Sequence, residues 1–401
     1  MKLPKIKNYK LFNFRPFVFG LVALILGVFL AYSFFISFWF IVGFGVAALL
    51  FVVLLITRKW HKFLRLHLTS TIIICVCFVL GFGAFGIREL VYRKNVAPEG
   101  VYYISAKVVS TTKYQDDLYK TNIDAVSLYT TNDYQTVKKL KYSGYVWINS
   151  EYKVGDKIGF VGKYTPIKHN SIKSITNDKA YTISRYSQVL VSGNSKNIFE
   201  KYKVAVWNEI SNNVNEQDAG TAYAMLTGDK AKVDYSTKVE YQSAGIGHIL
   251  AVSGLHVGFL ALILSFFLNI CRVNKKIRFV IITIILFLFS FLCGFSYSVL
   301  RASIMCVVLL YAGLRGKQYD GLSALCFASI LILLFDAYQL FKIGFLLSFF
   351  AVFSMFCLSS WLDYYFSTAY IKKLSSALSV GISTSVGILP WQVHYFGYFP
   401  L

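Results

Sequence analysis

Residues 17–56, FVFGLVALILGVFLAYSFFISFWFIVGFGVAALLFVVLLI, run for forty positions without an Asp, Glu, Lys or Arg. One helix needs about 20 apolar residues to cross a bilayer, so this run reads as two spans joined by a tight hairpin. Residues 69–87 supply a third span. In a chain of 401 residues, 56% of them hydrophobic, such repeated runs assign the polytopic α-helical membrane class and set a soluble protein aside. Lys2, Lys5, Lys7, Lys10 and Arg15 precede the first run, which is too long for a signal-peptide core and is followed by no small-residue cleavage site. It is expected to stay as an anchor.

A polar stretch follows, and apolar runs return from about residue 247, with candidate spans at 247–270, 278–295, 297–314, 321–335, 343–361 and 374–396. Counted this way, five basic clusters fall on one side: Lys2 to Arg15, Arg58 to Arg65, Arg272 to Arg278, Arg315 with Lys317, and Lys372 with Lys373. That side is the cytoplasm, which puts the N-terminus inside and the polar stretch outside the cell membrane, with Arg88, Arg93 and Lys94 opposing. Part of the net charge of +22 is therefore topological. Cys75, Cys77, Cys271, Cys293, Cys306, Cys326 and Cys357 all lie in or beside apolar segments, which argues for packing residues and against a disulfide scaffold or thiolate metal site.

Four parts emerge: a three-helix membrane region at 1–96, a β domain at 97–195, an amphipathic connector at 196–246, and a second membrane domain at 247–401. In the β domain, Val101–Lys113, Asn122–Thr131, Tyr142–Asn149, Asp156–Lys163 and Tyr181–Val191 are rich in Val, Ile, Thr and Tyr and are separated by turn residues. They predict a small all-β Greek-key barrel of the OB type inserted on the extracytoplasmic side, with a β-sandwich as the competing arrangement. Val154-Gly155-Asp156 reads as a tight turn feeding a strand.

Basic residues outnumber acidic ones in this domain, and aromatic rings are interleaved with them. A single-stranded nucleic-acid groove needs that mixture, since cations follow phosphates and rings accept bases. Candidate cations are Lys107, Lys157 and Lys163, and candidate stacking rings are Tyr103, Tyr145 and Trp147. The competing reading is ordinary: Tyr is a routine strand residue and Lys a routine solvated one.

Residues 247–259, GHILAVSGLHVGF, place His248, Ser253, Gly254 and His256 in apolar surroundings, where polar and helix-weakening residues are costly. Ser253 and His256 stand at i and i+3, on one face of a helix if the run is helical. Three functional readings stay open: a nucleophile and base, a pair of metal ligands, or the lining of a water-filled path. Against them stands a packing role, with glycines allowing close helix approach and Ser253 bonded to backbone. No carboxylate neighbours the cluster, and Asp229 and Asp336 are the distant candidates. Gly228-Asp229-Lys230 reads as a helix C-cap and turn. Arg301, near the start of a span, either snorkels to the interface or is a fixed cation in the path of a polyanion.

Five ordered motifs resemble the ComEC family of competence membrane channels. They are Leu226 to Lys230; His248 to Gly258; Gly294 to Ala302; Asp336 followed by Gly344 to Phe349; and Leu389-Pro390 before His394 to Gly397. Val154 to Ile158 before Gly162 is similar to part of the family's OB-like domain. The resemblance implies a channel component through which one strand of transforming DNA crosses the membrane, and assigns Gly228, Asp229, Lys230, His248, Ser253, Gly254, His256, Arg301, Asp336 and Pro390 to the transport core. It implies as partners a single DNA strand in transit, duplex DNA at the outer face, the lipid bilayer, further copies of the chain, a DNA receptor, a cytoplasmic DNA translocase and a separately encoded hydrolase-like domain. No cofactor or metal is implied. Many members continue into further spans and a metallo-β-lactamase-like domain, whose His-x-His-x-Asp-His cluster is not found in these residues, so no enzymatic activity is expected of them. The alternative is an intramembrane hydrolase using Ser253 with His256.

Overall fold

The computed structural model describes residues 15–36, 60–115, 118–131, 135–140, 143–150, 152, 155–167, 181–194, 198–243, 252–366 and 372–396. In chain order the elements begin with α1 (Pro16–Ile36) and α2 (Trp60–Asn95). Seven strands follow: β1 (Gly100–Gln115), β2 (Leu118–Tyr129), β3 (Thr136–Lys139), β4 (Gly144–Ile148), β5 (Asp156–Pro166), β6 (Tyr181–Arg185) and β7 (Leu190–Asn194). Then come α3 (Ile198–Asn213), α4 (Glu216–Thr227), α5 (Tyr235–Ser243), α6 (Gly254–Ile270), α7 (Lys275–Leu292), α8 (Tyr297–Leu314), α9 (Gly321–Phe335), α10 (Ile343–Phe366) and α11 (Lys372–Phe396). Short 3-10 turns occupy Lys230–Lys232 and Ala337–Phe341. The chain divides into two compact units, one holding α1, α2 as far as Arg88 and the chain from Ile304 on, the other holding Glu89–Ser303.

In the first unit the helices meet backbone to backbone. A Cβ on Gly27 would collide with the Phe78 carbonyl oxygen, and one on Gly81 with that of Leu24, so the crossing of α1 and α2 tolerates only hydrogen at both places. Gly387 of α11 is occupied in the same way by Ser354 of α10, and Ser379 and Ser383, fully buried, continue the small-residue stripe along α11. Pro390 lies inside α11 and is exposed, where its missing N–H interrupts the helix ladder.

Among the described residues, four helices are long and apolar enough to cross a membrane: Pro16–Phe35, Ile73–Asn95, Tyr297–Leu314 and Ile343–Tyr365. The second span expected in residues 17–56 lies outside the described residues, whereas the third, 69–87, falls within a helix that extends to Asn95. The span expected from 247 is corrected: Val252 and Ser253 are not helical, and α6 begins at Gly254 with 17 residues. The boundary moved because Ser253 is extended, at φ −101° and ψ 167°, and caps the helix instead of belonging to it.

The second unit contains a closed barrel. Its strands run β1-β2-β4-β6-β5 and return to β1 through β1–β5 pairing. All neighbours are antiparallel except β4 and β6, which are parallel. Closure follows from β1, whose 16 residues pair with β2 on one edge and β5 on the other. Alternation along each strand sends Ile104, Val108, Ile123, Val146, Ile148, Ile158, Phe160 and Ile183 inward. Tyr181 fills the space over Gly144, where any Cβ would enter its ring. Gly155 at φ 96° turns the chain into β5.

Ring closure decides for a barrel over a sandwich. Two strand boundaries differ from expectation. Residues 181–191 form two strands instead of one, because β6 pairs with β4 and β5 while the chain at Tyr186 and Ser187 bonds Val161 O and returns along β5 as β7. The short β3, which pairs with β2, carries no strong sequence signal.

Candidate functional site

Within the second unit the motifs that are dispersed in sequence come together. Gly228 ends α4 in the left-handed region at φ 75°, and its N–H donates to Ala224 O at 2.8 Å. Thr227 Oγ1 donates to Tyr223 O at 2.8 Å and accepts from Asp229 N at 3.2 Å, which fixes the turn before Lys230. Burial raises the Tyr223 hydroxyl well above its ordinary value, and the charge of Asp229 adds to the shift. A Cβ on Gly228 would stand 3.5 Å from Val252 Cγ2 and 3.9 Å from Cys293 O. The turn therefore sits against the residue before Ser253 and against the link between α7 and α8.

Ser253 and His256 form a capping box. Ser253 Oγ accepts from Leu255 N at 3.3 Å, and His256 Nδ1 accepts from Ser253 N at 3.3 Å, so two otherwise orphaned amides at the start of α6 are satisfied. The hydroxyl and the ring nitrogen are 3.1 Å apart. This geometry does not favour hydrolysis: Nδ1 already receives a backbone N–H, and among the described residues no carboxylate bonds His256. The two side chains share a cap and not a helix face. His248 lies outside the described residues.

Gly254 brings α8 close. A Cβ there would lie 3.2 Å from Ala302 Cβ and 3.5 Å from Arg301 Nη2. The link from α7 turns through Gly294 and Phe295, at φ 63° and 52°, with Phe295 N donating to Ser290 O at 2.7 Å. Ser290 Oγ and Ser303 Oγ, 3.0 Å apart and buried, pin the two helices together. Beside them Arg301 Nε, Arg301 Nη1 and Ser296 Oγ are shut off from solvent with no hydrogen-bond partner among the described residues.

Asp336 belongs to the first unit, with Arg88. Its Oδ2 accepts from Gln339 Nε2 at 2.6 Å, its Oδ1 accepts from Tyr338 N at 3.2 Å, and Arg88 Nε lies 3.6 Å from Oδ1. Arg88 also stands 5.6 Å above the Tyr338 ring. Asp336 thus caps the 3-10 turn after α9 and is paired with an arginine there.

On the barrel, Tyr145 and Trp147 project from the outer face of β4 with ring centroids 6.3 Å apart. Lys120 of β2, in register with Trp147, places its ammonium 4.4 Å from the Tyr145 centroid and 5.9 Å from that of Trp147. Sequence reading missed Lys120; the outward alternation of β2, combined with the pairing register, is the signal that finds it. Tyr103 lies against Tyr129 at 6.1 Å and over Gly159, and Lys107 and Lys157 are register partners across β1 and β5. Lys163 is bonded to Glu99 at 2.7 Å, and that hydrogen bond, followed by the Glu99 charge, raises its pKa. Among the described residues no three His, Cys, Asp or Glu side chains gather in a way that could hold a metal ion.

Residues 225–401 match the family model described as Competence protein. The chain is 30% identical over 186 residues to ComE operon protein 3 of Bacillus subtilis (strain 168), an alignment covering 45% of this chain and 23% of that protein. It therefore spans less than a quarter of the curated relative's length. No solved structure matches it.

Proposed function

Because the chain belongs to the ComEC-like competence proteins through residues 225–401, we propose that it is a channel component through which one strand of transforming DNA crosses the bacterial cell membrane, with no enzymatic step of its own. The observation that carries this reading is the meeting, inside the matched region, of the Gly228 turn, the Ser253–Gly254 cap and Arg301. A strand of phosphates needs cations and oriented amides along its path, and these are supplied where apolar helices would otherwise present nothing.

In this reading the apolar helices span the cell membrane with the N-terminus cytoplasmic, and the barrel stands outside. The barrel's strand order, with one parallel pair closing an antiparallel ring, supports an OB domain whose β2–β4 face carries Lys120, Tyr145 and Trp147. DNA is captured there electrostatically, with Lys107 and Lys157 adding positive charge; rings stack on bases, and the strand then passes His256 and Arg301. Lys163, already paired with Glu99, contributes less than its neighbours.

The test is transformation of a strain lacking this chain, with and without a full-length copy supplied in trans. Loss of DNA uptake on deletion and its return on complementation are expected. Normal uptake by the deletion strain would sink the proposal. A serine-directed phosphonate is expected to leave Ser253 unlabelled, since its hydroxyl serves the helix cap.

A further inference from the structure

Among the described residues, no carboxylate pairs with Arg301. Its Nε and Nη1 are excluded from solvent and bond nothing among the described residues, a costly state for a polar group and costlier still for a charged one. Such a cost is borne most simply where a ligand makes the missing bonds. The guanidinium offers two bidentate forks, Nε with Nη2 and Nη1 with Nη2, and each contains one of the orphaned nitrogens. Nη2, common to both, points at the notch left by the absent side chain of Gly254, 3.5 Å from where its Cβ would be.

A third group with no hydrogen-bond partner among the described residues, Ser296 Oγ, is buried in the link leading into the same helix. The surroundings narrow the ligand. Across the notch stands the beginning of α6, where Ser253 Oγ takes up the amide of Leu255 and His256 Nδ1 that of Ser253. Among the described residues the notch is faced by Arg301 Nη2, the Ala302 methyl and, at 4.0 Å, the Ser298 carbonyl oxygen, and no carboxylate among them pairs with the guanidinium.

Resting on the transport reading and deepening it, we infer that Arg301, with Ser296 and the Gly254 notch, is a seat for one phosphodiester group of the strand in transit. The planar fork matches two phosphate oxygens, which a lysine ammonium does not. A single seat of this kind holds the backbone without reading bases, as passage of arbitrary sequence demands. The sharing of Nη2 by the two forks lets one phosphate be handed to the next without the guanidinium leaving its place.

The seat is tested on the full chain in maltoside detergent, which contains no phosphate, by phosphorus NMR of dimethyl phosphate, a phosphodiester with no base to stack. Saturable broadening is expected, competed by the dinucleotide TpT. Arg301→Gln is expected to weaken binding at least about tenfold, and Arg301→Lys severalfold, because the charge remains but the fork is lost. Gly254→Val keeps the guanidinium and fills the notch, and Ser296→Ala removes the unpaired hydroxyl; both are expected to weaken binding while circular dichroism and elution volume stay those of the parent. Absence of saturable broadening, or equal broadening in Arg301→Gln, overturns the seat. Phospholipid that copurifies one per chain, depends on Arg301 and resists TpT assigns the notch to a lipid phosphate and overturns the nucleic-acid assignment. The readout is independent of uptake. A deletion strain that transforms normally removes the transport reading even if dimethyl phosphate binds, and absence of binding with uptake lost on deletion removes the seat alone.

Discussion

Arg88 and Arg301 both stand on apolar helices, yet their surroundings differ in one decisive respect. Arg88 Nε makes no hydrogen bond at 3.6 Å but is ion-paired with Asp336, whose carboxylate is further bound by Gln339 and the Tyr338 amide, and the Tyr338 ring lies beneath it. Arg301 has Nε and Nη1 buried and unbonded among the described residues, with Gly254 across from it. The first charge is used in holding its unit together. The second is held in place by packing and left with capacity for an anion. The lesson is that a charged residue at an apolar helix start says little by itself; the number of acceptors around it separates a structural cation from one kept for a ligand.

The sharpest way to break this contrast is Arg301→Gln, expected to lower transformation roughly a hundredfold while thermal stability holds or rises, since buried unpaired donors are removed. If Arg301→Gln destabilises the chain instead, Arg301 is structural like Arg88. Next, Asp336→Ala is expected to cost about 1–2 kcal/mol, mostly from uncapping the 3-10 turn, with a smaller share from the partly exposed ion pair. Adding Arg88→Leu to it should recover part of that loss, measured as the coupling energy of a double-mutant cycle in thermal unfolding. No coupling would dissolve the pair.

Between these lies a third cation, Lys120, whose partners are rings. Trp147→Ala is expected to weaken binding of a fluorescent oligothymidylate to the full chain by about 1–3 kcal/mol, and Lys120→Ala to weaken it less while flattening its salt dependence. The smallest effect belongs to Ser253→Ala, about 1 kcal/mol of stability from the lost cap, with uptake reduced only in proportion to the folded protein present. A collapse of uptake with normal abundance would give Ser253 a role beyond capping.

Much of the fold was legible, for identifiable reasons. The barrel was readable because β-branched and aromatic residues alternate between turn clusters, and strand closure adds only pairings to what alternation dictates. The single strand expected at 181–191 divided because its halves bond different neighbours, information that no local window holds. Ser253 was misplaced on a helix face because apolar neighbours outweighed the capping signal; Ser-x-x-His at 253–256 is the capping-box spacing with imidazole in place of carboxylate. Gly254 and Arg301 were each singled out in sequence, but their approach depends on the N-terminal ends of two helices meeting at a glycine, which sequence distance conceals.

The paired glycines of α1 and α2 have a mechanical consequence. Gly27 lies under the Phe78 carbonyl and Gly81 under that of Leu24, so each helix is notched once by the other, at two neighbouring points. Two notches act as a key in a slot: sliding along the axis would drive a side chain into a carbonyl, and rotation would lift both glycines out of register at once. Any motion of this unit must therefore carry α1 and α2 together as one lever, and compliance has to be sought elsewhere in the chain.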